Sequence, residues 1–345
     1  MESNFFSELK QAYLIAEIGV KHNGDMRLAK EMILEAKQAG ADAVKFQTFK
    51  AENLVTHGTP KVKYQENTTS NKETHYEMIK KLELGEQEHY DLSAYCHSVD
   101  IDFMSTPYDI DSAKFLEDLD VKMFKTASAD LVDLPLLHYL ASTGKPTIMA
   151  TGMSNLGEVE QAVNIFKDSN NPNLVLLHCV SNYPCTDVSL NLRAMTTMSQ
   201  AFRLPIGYSD HSIGFLAAVT SIAIGAKVIE KHFTLDKTLS GPDHKASSTP
   251  KEFSELAQNI RQVECMLGSH RKAKQAEESQ MAEVSRKSLF LARPMRRGDI
   301  IAISDLKLMR PGNGILANFI SKIVGKRIRT DCDELHQITW NDLED

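Results

Sequence analysis

The chain has 345 residues, 42% of them hydrophobic and 25% charged, with a formal net charge of −7. That length fits one large domain with an appendage, and the acid excess repels phosphate polymers, which excludes nucleic acid as a partner. No stretch approaches the roughly 18 apolar residues of a membrane span, and the first residues lack a basic segment followed by an apolar one, so no membrane association and a cytoplasmic location are expected.

Short apolar runs at 13–18, 43–48, 102–106, 122–126, 146–150, 174–178, 204–208 and 227–231 predict strands. Amphipathic stretches at 26–39, 87–98, 111–119, 135–142, 156–167, 190–201, 213–224 and 250–266 predict the helices between them. In the first helix, Leu28, Met32, Ala36 and Ala39 fall on one face. Strand then helix, repeated over about 250 residues, is an α/β pattern and predicts a (β/α)8 TIM barrel over residues 1–268. The insertion at 49–85 is too long for a plain connection and reads as a lid or substrate-contacting loop. A charged linker with some helix follows at 269–287. The tail, 288–345, repeats a strand-turn-strand pattern twice, each copy closing on an acidic segment at Asp305 and Asp342, and predicts a small β-rich domain.

Five cysteines, an odd number without C-x-x-C spacing, read as reduced thiols. Cys179 follows His178, but neighbours on a strand face opposite ways, so the two are not a catalytic pair. The same alternation puts Lys45 and Gln47 on one face of the second strand and points them into the barrel mouth. Lys125 shares a face with Met123 on the fourth, and Ser128 lies just beyond. Two inward lysines with hydroxyls nearby (Ser105, Thr106, Ser181, Ser209) suit a small anion. The segment 151–155, ending in Asn155, enters a helix whose N-terminus offers backbone donors to the same anion. His211 and His232 end consecutive strands beside Asp210, Glu230 and Asp243, which makes them candidate ligands of a divalent metal with open coordination positions. Glu17 ends the first strand, where it serves as acid or base, as the partner of Lys45 or Lys125, or as both.

The ordered set Ala16-Glu-Ile-Gly19, His22-Asn-Gly24, Lys45-Phe-Gln-Thr48, Ser105-Thr-Pro107, Thr151-Gly-Met153, Leu177-His-Cys179, Tyr208-Ser-Asp-His211, Glu230-Lys-His-Phe-Thr234, Gly241-Pro-Asp243 and Arg310-Pro-Gly-Asn-Gly314 resembles the N-acetylneuraminate (sialic acid) synthases. The tail resembles that family's antifreeze-like SAF domain, a β-clip fold. The resemblance implies a transferase of carbohydrate biosynthesis. It condenses phosphoenolpyruvate with an N-acetyl hexosamine such as N-acetylmannosamine, giving a nine-carbon 2-keto acid and phosphate. It also implies a homodimer with swapped SAF domains and a divalent metal, manganese first, with magnesium or cobalt as alternatives. His211 and His232 match the metal ligands and Glu17 an active-site acid. Lys45, Lys125, Ser128 and Ser209 match phosphoenolpyruvate contacts, with Ser181 at a contact position where the family often has an asparagine, and Gln47, Tyr183, Asp243 and Arg310 match sugar contacts. Asp130 stands where the family often has a sugar-side glutamate, and Lys21 replaces the asparagine frequent before His22. Both departures bear on the sugar, and N,N'-diacetyllegionaminate synthesis from a 2,4-diacetamido dideoxy hexose is the alternative.

The resemblance leaves open whether Glu17 or Asp243 moves the proton when water adds at C2. Two rivals remain at the level of the residues alone. One is a Schiff-base aldolase or lyase with Lys125 or Lys45 as nucleophile. The other is a barrel that binds its ligand without chemistry.

Overall fold

In the computed structural model, which describes residues 4–61 and 73–344, the chain divides into two compact units, Met1–Gly268 and Ser269–Asp345. The first holds eight strands: β1 (Tyr13–Glu17), β2 (Ala43–Thr48), β3 (Asp102–Pro107), β4 (Phe124–Thr126), β5 (Thr147–Ala150), β6 (Leu174–Cys179), β7 (Ile206–Asp210) and β8 (Ala226–His232). Their order is β3-β2-β1-β8-β7-β6-β5-β4, and every ladder is parallel. β3 and β4 meet at the remaining seam, so the sheet is a nearly closed TIM-like barrel.

Two apolar layers explain the closure. Alternate residues of the strands face outward and pack on the helices, with Leu14, Val44, Phe124, Leu176 and Ile229 all buried there. The opposite residues fill the interior: Ile15, Ala43, Met104, Met123, Ile148, Val175 and Val228, with Phe6 from the N-terminal turn closing the bottom. Burying Phe6 alone is worth roughly 2–3 kcal/mol. At Gly207 a β-carbon would stand 3.0 Å from the Cβ of Val228, so only glycine fits this layer of β7.

The helices start where the sequence caps them. Asp25 accepts from the amides of Arg27 and Leu28 to begin Met26–Gln38, and that helix buries Ala29, Met32, Ile33 and Ala36. Thr249 and Glu252 form a capping box at the start of Pro250–Leu267. Among its described residues, the insertion carries the helical turns Ala51–Leu54 and His75–Lys80. Its residues 62–72 lie outside the described residues.

In the second unit, the segment 269–287 carries a short helix, Ser279–Ser285. The repeated tail pattern is a repeated structure. β9 (Ser288–Leu291) pairs antiparallel with β10 (Leu306–Met309), and β11 (Arg327–Ile328) with β12 (Leu343–Glu344). The two acidic segments are equivalent turns: Asp305 accepts from the amide of Ala302 and Asp342 from that of Thr339. Isolated bridges such as Met295 with Cys332 join the two copies around an apolar core. No helix among the described residues is long and apolar enough to cross a membrane.

Candidate functional site

One step of two residues toward the strand ends turns the apolar interior polar. Ile15 gives way to Glu17, Ala43 to Lys45 and Gln47, Met104 to Thr106, Met123 to Lys125, and Val228 to Glu230 and His232. All of these end side chains line one cavity of about 810 Å³ at the C-terminal end of the strands, where TIM barrels place their chemistry.

The floor is a buried charge lattice. Glu17 and Lys45 sit opposite each other in the β1–β2 register and form an ion pair. The Lys45 ammonium also donates to the Thr106 hydroxyl at 2.9 Å. Gln47 donates to Glu17 at 3.3 Å. The Lys125 ammonium lies 3.4 Å from the Glu230 carboxylate, which accepts from the Ser209 hydroxyl at 2.9 Å. Burial alone would depress the Lys45 ammonium; the carboxylates of Glu17 and Glu230 outweigh it and raise its pKa. Burial would likewise raise Glu230, but Lys125, Lys45 and Ser209 hold it down at about 2. Lys45 is therefore a cation held in place inside a dry site, with the side chain of Lys125 fixed beside it by Glu230 and the Thr126 carbonyl, which is the arrangement that binding a small polyanion requires.

Beside this floor stand the imidazoles. The rings of His211 and His232 are 5.5 Å apart, and Tyr183 lies against both, at 4.2 Å and 5.2 Å. His211 Nδ1 donates to the Val180 carbonyl at 2.7 Å, which leaves Nε2 with its lone pair near Ser209. His232 Nδ1 is buried without a hydrogen-bond partner. Burial holds both rings below the usual imidazole pKa, and Lys21 adds to the effect on His232. Two neutral imidazoles, one with an orphaned nitrogen and one with its tautomer fixed, suit a divalent cation that keeps open positions. Asp243 lines the same cavity. A cluster of three potential ligands elsewhere, Cys332, His336 and Asp342, belongs to the second unit, where Asp342 already caps a turn.

Ser128 and Ser181 complete the opposite wall with Gly152 between them. A β-carbon on Gly152 would stand 2.8 Å from Ser128 Oγ and 3.0 Å from Cys179 Sγ, and closer still to Ser181 Oγ. Only glycine fits behind these two hydroxyls, and its amide donates to Ser128 Oγ at 3.1 Å.

The structure thus brings Glu17, Lys45, Gln47, Thr106, Lys125, Ser128, Ser181, Tyr183, Ser209, His211, His232 and Asp243 to one cavity. Four sequence expectations fall elsewhere. Asn155 is exposed, and its side chain accepts from Gly157 and Glu158 to cap the helix Leu156–Asp168; the amides expected for an anion are already taken. Asp130 is not in the cavity lining. It sits in a turn, its carboxyl pushed up to about 7 by burial and by Asp133. Ser105 faces outward and bonds Thr48, which contacts His89. Asp210 also faces outward, paired with buried Lys231 at 2.8 Å. Arg310 is an exposed residue of the second unit. The expected separation of His178 and Cys179 holds: His178 bonds the Leu190 carbonyl, while Cys179 lies 3.1 Å from Ser128. All five cysteines are free.

Three features escaped the sequence reading. Glu230 was noted only as a neighbouring acid, although its alternation with His232 signals an inward position. Lys21 is fully buried and donates to the Glu17 carbonyl at 3.1 Å and the Ile18 carbonyl at 3.3 Å. His75 lines the cavity from the insertion, a position no strand pattern marks.

Comparison with known proteins agrees with this geometry. The chain is 46% identical to the N,N'-diacetyllegionaminic acid synthase of Legionella pneumophila over 96% of this chain and 94% of that protein. It is 42% identical to the corresponding synthase of Campylobacter jejuni over 94% and 98%. The solved N-acetylneuraminic acid (sialic acid) synthetase of Leptospira borgpetersenii is 36% identical, with a TM-score of 0.71 over 79% of this chain and 90% of that one. The SAF domain model matches residues 286–344. With the NeuB family model matching residues 32–272, the chain belongs to the NeuB family and ends in a SAF domain.

Proposed function

We propose that the protein is a cytoplasmic nonulosonic acid synthase. It condenses phosphoenolpyruvate with an N-acetylated hexosamine and releases phosphate. The observation that carries this reading is the convergence of two buried ammonium groups and two neutral imidazoles on one cavity. Lys45 and Lys125 hold the phosphate and carboxylate of phosphoenolpyruvate and offset charge as it moves. His211 and His232 would hold a divalent ion, manganese first and magnesium or cobalt as alternatives, which would supply Lewis-acid polarisation of the sugar carbonyl. C3 of phosphoenolpyruvate forms the new carbon–carbon bond to that carbonyl carbon. The sugar carbonyl oxygen takes up a proton and becomes a hydroxyl, water adds at C2 and gives a proton to Glu17 or Asp243, and phosphate leaves with the C–O bond broken, its departure with loss of the second water proton giving the 2-keto group. In a homodimer with swapped SAF domains, Arg310 would come to the sugar from the partner copy.

For the sugar, we favour a 2,4-diacetamido dideoxy hexose over N-acetylmannosamine. The synthases of Legionella and Campylobacter support it, as does the apolar wall that the insertion gives the cavity. A side-by-side assay of phosphate release with the two sugars tests this. The reading requires a higher kcat/KM for the diacetamido sugar, and a preference for N-acetylmannosamine would refute it.

A further inference from the structure

Above the charged floor the cavity changes character. Phe49, Leu54, Met78, Ile79 and Leu82, all from the insertion, form its wall. Phe49, Met78 and Leu82 pack together in an apolar cluster of their own. His75 interrupts this wall. Its Nδ1 is shut off from solvent and has no hydrogen-bond partner. Burial, and then the Lys61 ammonium, lower the pKa of the ring, so it is neutral near pH 7 and carries one donor and one acceptor.

Nothing local needs that imidazole. The turn it begins is capped by Thr74 and Glu77, which satisfy each other's backbone amides. An orphaned buried polar atom costs about 1–3 kcal/mol; turning the ring over brings that nitrogen to the cavity the residue lines, where a ligand group that bonds it regains that energy. The surroundings restrict which group. A carboxylate or phosphate would need a cation; the ring is neutral, and the Lys61 ammonium that acts on it is already paired with Glu73 at 3.4 Å. A hydroxyl would match the nitrogen and leave the apolar wall unused. An acetamido group matches both parts, an amide for the imidazole and a methyl for the wall.

We propose that His75, set against Phe49, Met78 and Leu82, is the binding subsite for a second acetamido group on the hexose. This rests on the reading of the cavity as an amino-sugar synthase site and names the substituent that selects its sugar.

The test uses the full chain with manganese and phosphoenolpyruvate. The substrates are the 2,4-diacetamido hexose and its 2-acetamido-4-hydroxy counterpart. In His75→Leu, the ratio of kcat/KM between the two sugars falls by about tenfold to a hundredfold, the range for losing one hydrogen-bonding group in an apolar pocket. The KM for phosphoenolpyruvate stays within about twofold, because the charged floor is untouched. His75→Gln, which keeps an amide donor and acceptor, recovers most of the ratio. If the leucine variant does not fold, His75→Phe gives the same readout. A ratio unchanged in these variants, whether both rates fall together or neither moves, overturns the subsite. Equal handling of the two sugars by the unaltered protein overturns it as well. Inactivity of the unaltered protein with both sugars instead refutes the synthase reading itself.

Discussion

Replacing Lys125 with methionine removes one partner of a buried ion pair and isolates the other. Lys125 is 3% and Glu230 4% exposed, and their charges lie 3.4 Å apart. Without the ammonium, the Glu230 carboxylate keeps the Ser209 hydroxyl and the more distant Lys45. Breaking such a pair costs about 3–5 kcal/mol, because the remaining charge stays in a low-dielectric site. For a domain of this size that is a fall of roughly 6–20 °C in melting temperature. Glu230→Gln costs a similar amount by stranding the ammonium against the Thr126 carbonyl. The double variant leaves no uncompensated charge and regains more than half of either loss, although it is inactive. The pH dependence carries a sign. Glu230 has a depressed pKa in the folded protein, so its contribution is complete above about pH 4.5 and is lost as pH falls toward 2. The melting temperature of Glu230→Gln is therefore flatter across that window than that of the unaltered protein. Thermal melts followed by circular dichroism decide the matter. A Lys125→Met melting point within about 2 °C of the unaltered protein would refute the coupled, desolvated pair.

Four further outcomes are expected. His211→Ala lowers kcat by about a thousandfold or more and leaves the far-ultraviolet spectrum intact; full activity of that variant in chelator-treated buffer would reject the metal role. Because burial lowers both imidazoles, manganese binding should not weaken as pH falls from 7.5 to 6.5, which titration calorimetry can check. Gly152→Ala drives a β-carbon against the hydroxyls of Ser128 and Ser181, displaces them in the cavity they line and raises the KM for phosphoenolpyruvate by about tenfold, equivalent to roughly 1.4 kcal/mol of lost binding. Asn155→Ala, by contrast, costs about 1 kcal/mol of stability through the lost cap and leaves that KM unchanged.

The barrel was legible because its two periods are strong. Alternation in Ala43–Thr48 and Ala226–His232 fixes which side chains face inward, and eight strand-helix repeats leave few other architectures. The positions of Lys45, Gln47, Lys125 and His232 follow from that alternation alone. Sequence and structure part company where alternation stops. Asn155 and Asp130 lie in turns beyond strand ends, where local hydrogen bonding decides direction, and a sequence shows an N-cap and an anion site with the same residues. Ser105 was read by proximity when its parity with Thr106 already placed it outward. His75 could not be found from pattern because the insertion has no period, and its two helical turns take their positions from packing on Val20, Phe49 and Leu82.

If Lys45 and Lys125 grip phosphoenolpyruvate for condensation, its phosphate leaves by carbon–oxygen cleavage. Phosphoenolpyruvate carrying a heavy isotope in the oxygen that bridges carbon and phosphorus tests this directly. Incubated with the protein, manganese and the diacetamido hexose, it should yield labelled inorganic phosphate in equal amount to a nine-carbon 2-keto acid. Unlabelled phosphate, or a borohydride-trapped adduct of pyruvate on either lysine with no phosphate released, would contradict it.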